Sequence, residues 1–312
     1  MAALSEVARQ PAMPQSGSFS GHETFPFRYA WLKKGIDGLL HQPDIFSRND
    51  AMVTLGVGKN MVRAIRYWCL ATKLVEEGDF YQDTRSRALV PTTIGRGLFI
   101  DPAWDGYLED DGSLWLLHWL LANNPGRATT WFWAFSIMKE QEFTRASFSI
   151  ALEHVRDVHK YRVSDASLKS DASCFLRTYV AAKRGLNSTI EETLDCPLTN
   201  LGLILDLGDN RYRYNNGSKP GLAHEVFVYA LLDFWEQRHS AQKTLSLREI
   251  TYGVSSPGRI FKLDDDAVLD YLDAVSATTC GKLSFVDSVM LRQVVRHETI
   301  VKEDILNAYY TR

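Results

Sequence analysis

The chain has 312 residues, 45% hydrophobic and 23% charged, which excludes global disorder and collagen-like sequence and allows two or three compact units. With 35 Lys and Arg against 38 Asp and Glu the net charge is −3, so affinity for nucleic acid must come from a local basic surface, not from bulk attraction. The four cysteines are too scattered for a zinc site or disulfide framework and read as reduced cytoplasmic thiols. No apolar run approaches the length needed to cross a bilayer.

Residues 1–18 carry Pro11, Pro14, Gly17 and several Ser without a signal-peptide pattern, and read as a mobile tail. A winged helix-turn-helix DNA-binding domain is expected over 19–104. In it, a helix is predicted over Tyr29–Leu40, and Asp50 caps a short helix ending at Leu55. Gly56 and Gly58 bracket a turn, and a second helix runs from Lys59 to Thr72. Short strands at Leu74–Glu76 and Ala88–Pro91 flank a polar loop with Asp83, Arg85 and Arg87, and a helical turn from Thr92 or Thr93 reaches Phe99. At 100° per residue, Val62, Ile65 and Cys69 share one side of the second helix, while Lys59, Arg63 and Arg66 lie within about 60° of each other on another. Between Gly56 and Val75 there are four basic side chains and no acidic one, in a chain that is acidic overall. Lys59 and Asn60 at the helix start can reach a phosphate or a base edge, and the wing would add Arg85 and Arg87.

A mostly helical middle is expected over 105–221, with helices at Ser113–Ala122, Ala128–Glu140, Thr144–Val158 and Ser164–Lys183 and a hairpin turning at Asp209–Asn210. Trp115 and Trp119 sit one helical turn apart and, with Trp131 and Trp133, read as packed core. Residues 222–312 repeat the helix, helix, hairpin order. The second of those helices is acidic, however, with Asp264, Asp265, Asp266, Asp270 and Asp273. It reads as a degenerate winged-helix-like unit suited to protein contacts. The fold class is therefore mainly α with small β-wings.

Gly56-Val57-Gly58-Lys59-Asn60 is not a Walker loop, because Val53 and Asn60 stand where glycine and a hydroxyl residue are needed. None of the three His-Glu pairs continues to the helical zinc-protease motif. The segment Gly21-His22-Glu23-Thr24-Phe25-Pro26-Phe27-Arg28 has two readings. His22, Glu23 and Arg28 serve phosphodiester chemistry as base, metal ligand and charge stabiliser, or they form a latch that holds the tail onto the first domain.

The stretches SFSGHETFPFR (18–28) and GVGKNMVRAIRYWCL (56–70) resemble the signature segments of a bacterial family long described only as a domain of unknown function. That family includes the SspB component of single-strand DNA phosphorothioation systems. The resemblance implies a cytoplasmic, DNA-binding component of a sulfur-modification and phage-defence system, a nickase whose cut precedes sulfur incorporation. Mg or Mn is then the expected cofactor, and the expected partners are DNA and the system's cysteine desulfurase, ATPase and ATP-pyrophosphatase components. The matched positions are His22, Glu23 and Arg28 for chemistry and Lys59, Asn60, Arg63 and Arg66 for DNA. The alternative is a non-catalytic winged-helix adaptor or regulator that positions partner enzymes or pairs with a second copy of itself.

Overall fold

A computed structural model describes residues 13–78, 88–181, 196–288 and 291–312. Arg85 and Arg87, the expected wing cations, lie outside the described residues. In chain order the first elements are α1 (Tyr29–His41), α2 (Ala51–Leu55), α3 (Lys59–Ala71), β1 (Val75–Glu77), β2 (Leu89–Pro91) and α4 (Thr93–Phe99). Gly56 ends α2 at φ 61, in the left-handed region that a residue with a Cβ enters at a cost, and so lets the chain turn straight into α3. Gly58, by contrast, is extended at φ −67, so only one of the two glycines uses positive φ. Asp50 precedes α2 but makes no side-chain cap; its carboxylate pairs with Arg48. β1 and β2 form an antiparallel ribbon with Val75 opposite Pro91, and the Thr92 hydroxyl caps α4 by accepting from the Gly95 N–H.

Next come α5 (Asp111–Ala122), α6 (Thr129–Ser136), β3 (Glu142–Thr144), α7 (Arg145–His159), α8 (Asp165–Tyr179), β4 (Ile204–Gly208) and β5 (Arg211–Tyr214). The middle is thus not purely helical. The helix expected to run to Glu140 stops at Ser136, and Glu142–Thr144 joins the hairpin in a sheet of order β3-β5-β4. Thr144 then caps α7 through a reciprocal bond with Ser147, which turns strand into helix within one residue. The last elements are α9 (His224–Arg238), β6 (Thr244–Ser246), α10 (Leu247–Tyr252), α11 (Pro257–Phe261), α12 (Asp265–Asp273), α13 (Val275–Thr278), β7 (Leu283–Ser288), β8 (Leu291–Arg296) and α14 (Lys302–Tyr310). Their sheet has the order β6-β8-β7, so the first strand again pairs with the last. Asp287 and Ser288 close β7, paired with Arg292 and Leu291 of β8.

Helix, strand, two or more helices and two strands, with the first strand beside the last, therefore occurs twice. The two- and three-stranded sheets are all antiparallel. One hydrophobic cluster runs through all the segments, and Trp68, Trp119, Trp131 and Trp235 are wholly buried in it. No described helix is long and apolar enough to cross a membrane. The expected tail is corrected for its described part. Residues 13–18 are docked, with Met13 buried, the Pro14 carbonyl accepting from the Tyr161 hydroxyl at 2.6 Å, and the Ser18 N–H bonded to Thr129 at 2.8 Å.

Candidate nucleic-acid interface

α1 packs across α3, and the approach brings the two signature segments to one place. Phe25, Arg28, Tyr29, Trp31, Lys34 and the Gly56–Met61 stretch line a groove of about 800 Å³ that opens at the start of α3. Its wall is aromatic. Phe25 meets Trp31 edge-on at 6.1 Å, and the Arg28 guanidinium lies 5.3 Å from the Trp31 ring centroid. Its cations are Arg28, Lys34 and Lys59, joined by the Asn60 amide. Lys34 is anchored, donating to the Leu55 carbonyl at the end of α2 at 2.9 Å, where the helix dipole favours a cation.

Lys59, Asn60 and Arg63 are exposed along α3, while Val62, Ile65, Trp68 and Cys69 are buried, so the angular reading of the helix holds for its packed side. Arg66 behaves differently. It is half-buried beside Arg127 and Glu77, with burial and the Arg127 charge lowering its pKa, and it is not among the groove residues. Lys73 likewise turns inward. Burial lowers its pKa, against the pull of the Asp233 charge.

His22 is fully buried. Its Nδ1 accepts from the Thr24 N–H at 3.0 Å, so Nε2 carries the proton and donates to Asp171 Oδ1 at 2.7 Å. The same carboxylate accepts from the Ser20 N–H at 2.7 Å and, through Oδ2, from the Thr130 hydroxyl. Tyr67, Trp68 and Trp131 enclose the ring. The segment is closed further by the Trp68 indole, which donates to the Phe25 carbonyl at 2.8 Å, and by Arg177, which donates to the Thr24 carbonyl. His22 thus ties the 18–25 segment to α8, with Asp171 as the partner in place of Glu23 or Arg28. Glu23 sits outside this buried knot, half-exposed, 3.5 Å from Arg63.

Asp171 was missed by sequence reasoning, although a signal exists. With Leu168, Ala172 and Phe175 it lies on the buried stripe of α8, and an acidic residue on an apolar stripe requires a partner. Among the described residues no three His, Cys, Asp or Glu side chains converge to hold a metal ion, so the donors present do not form a protein-only metal cage.

The fold and the groove together define a mainly helical protein with small antiparallel sheets and a cationic, aromatic-walled groove at a helix start. The chain belongs to the family described as "Protein of unknown function (DUF4007)", which matches residues 19–310. No curated protein matches it. Two solved structures are similar. One, described as magnesium ion-bound SspB, is 32% identical with a TM-score of 0.83, over 94% of this chain and 88% of that one. The other, described as SspB, is also 32% identical with a TM-score of 0.83, over 95% and 90% of the two chains.

Proposed function

We propose that this protein is the DNA-binding component of a bacterial phosphorothioation and phage-defence system and that it grips DNA through the groove at the start of α3. The observation that carries this reading is the convergence of Arg28, Lys34, Lys59 and Asn60, from segments some 30 residues apart, on one aromatic-walled groove. The likeness to SspB supports the system, and three segments that each carry helices followed by an antiparallel hairpin support a winged-helix reading, with α3 as the recognition helix of the first. Lys59 and Arg63 supply phosphate contacts, Asn60 supplies a bidentate amide for a base edge, and the partly exposed Phe25 ring, backed by buried Trp31, offers a stacking face.

In this reading His22 is a positioning residue. Its ring touches no solvent, and its bond to Asp171 fixes the turn that presents Glu23 and Arg28. Glu23 is the carboxylate that would meet the DNA and would help hold a Mg ion, which would supply positive charge to the phosphate; Mg is the ion named with one SspB structure. A supercoiled-plasmid assay with and without Mg tests the nicking part. Mg-dependent open circles from the wild type and their loss in Glu23→Gln are expected. The alternative is a non-catalytic adaptor that binds DNA and positions partner enzymes. It predicts no open circles but unchanged retention of the plasmid.

A further inference from the structure

Away from the groove, a cleft of about 340 Å³ opens where the β3–β5 edge meets α10, α11 and the start of α12, lined among others by Gln141, Asn216, Arg259, Lys262 and Asp264. Lys262 ends α11 in the left-handed region at φ 57, and the residue is only 6% exposed. Its ammonium lies 3.8 Å from the centroid of the Tyr214 ring and 5.2 Å from that of Phe135, and it donates no hydrogen bond among the described residues. Arg259 faces the same cleft and spends one guanidinium N–H on the Met138 carbonyl at 3.3 Å. The one carboxylate lining the cleft, Asp264, caps α12 by accepting from the Ala267 N–H at 2.9 Å.

Holding an ammonium almost out of water, with aromatic faces and no hydrogen-bond acceptor among the described residues, opposes folding, and a neutral side chain of the same length would do better. A nearly buried cation without a hydrogen-bonding partner, lining a cleft beside a second cation, is the arrangement that an anion repays. The geometry points to a small-oxyanion site at Lys262 and Arg259, sized for one phosphate group, with Arg259 offering paired N–H donors and the Asn216 and Gln141 amides at the rim. The phosphate comes either as the free ion or at the end of a mononucleotide. This site is separate from the DNA groove and does not depend on the reading of that groove.

Burial, with the Arg259 charge, pushes the Lys262 pKa down to about 7. The other charged or titratable groups around it are Asp264, the buried Lys219 bonded through its ammonium to the Lys262 carbonyl, the Tyr214 and Tyr252 phenols and neutral His118. The ammonium is therefore present at slightly acid pH and lost in mild alkali. An anion of fixed charge such as sulfate that requires the ammonium should then bind roughly 25-fold more weakly at pH 8.5 than at pH 6.5.

Thermal melting and calorimetry of the full chain at matched ionic strength test the site with inorganic phosphate, AMP and sulfate as probes. A saturable rise in melting temperature with phosphate is expected, and tighter binding of AMP than of phosphate would assign the mononucleotide source. K262M should lose binding at least tenfold yet melt no lower than wild type in anion-free buffer, because it removes a buried charge. R259Q should weaken binding in the same direction and serves if K262M does not fold. Absence of saturable binding at millimolar anion would overturn the proposal. So would a K262M protein that still binds, or displacement of bound phosphate by a short duplex, which would make these cations part of the DNA surface.

Discussion

At the scale of single residues, the His22–Asp171 pair does the most to shape the candidate site. Asp171 is buried and accepts from Ser20, His22 and Thr130, so each of its oxygens is engaged. His22→Ala would leave that carboxylate short of one donor in a dry site, a loss of about 3 kcal/mol, read as a fall in the denaturant midpoint. Asp171→Asn should cost a comparable amount and should loosen the 18–25 segment, which hydrogen exchange at Ser20 and Thr24 would report. Gly21 belongs to the same knot. A Cβ there would lie 2.5 Å from the Tyr67 ring, so Gly21→Ala should destabilise by about 1–3 kcal/mol, measured by thermal melting. A smaller effect than a few tenths would mean that the ring has room to move.

At the scale of elements, capping decides where strands become helices. Ser246 ends β6 and caps α10, accepting from the Glu249 N–H while the Glu249 carboxylate accepts from the Ser246 N–H at 2.8 Å. Ser246→Ala should lower stability by about 1 kcal/mol in a melting experiment. Most helices were legible in the sequence, because α1, α3, α7 and α9 are long and carry apolar residues at helical spacing. The three-residue strands β3 and β6 were not, since Glu142–Thr144 and Thr244–Ser246 are too short to show alternation and exist only because a distant hairpin pairs with them. α14 escaped for a similar reason. It is held by tertiary contacts, with Leu306 buried and Lys302 reaching Asp233 at 2.7 Å. The basic side of α3 was legible as an angle, but its division into exposed Lys59 and Arg63 and half-buried Arg66 depends on Arg127 and Glu77, which sequence alone does not bring near.

At the scale of the whole molecule, the joints between segments are polar pairs sunk in an apolar core. His118 on α5 is fully buried, with Nδ1 on the Tyr179 hydroxyl and Nε2 on the Ile260 carbonyl, both at 2.9 Å, so it ties α5, α8 and α11 together. Burial drives its pKa down to about 3, while in the unfolded chain it titrates at its ordinary 6.5. Between those values the unfolded state binds the extra proton. The stability His118 contributes is therefore complete above pH 6.5 and drains away as pH falls towards 3, by up to about 1.4 kcal/mol per pH unit. Replacing His118 with Gln should flatten that part of the acid unfolding curve even though it lowers stability at neutral pH. The net charge of −3 also takes on a meaning at this scale. The groove at the start of α3 gathers Arg28, Lys34 and Lys59 on a protein of net negative charge, so in the proposed reading a polyanion would be steered to that one place and not to the surface at large.

The most direct test of that claim is the salt dependence of DNA binding by wild type and by the Arg28→Gln, Lys59→Gln, Arg63→Gln triple variant. Each lost phosphate contact should reduce the slope of log K against log salt by about 0.9 on duplex DNA, so the variant should bind more weakly and with a slope shallower by about two to three. Equal affinity and equal slope for the two proteins across the series would place the DNA elsewhere and contradict the account.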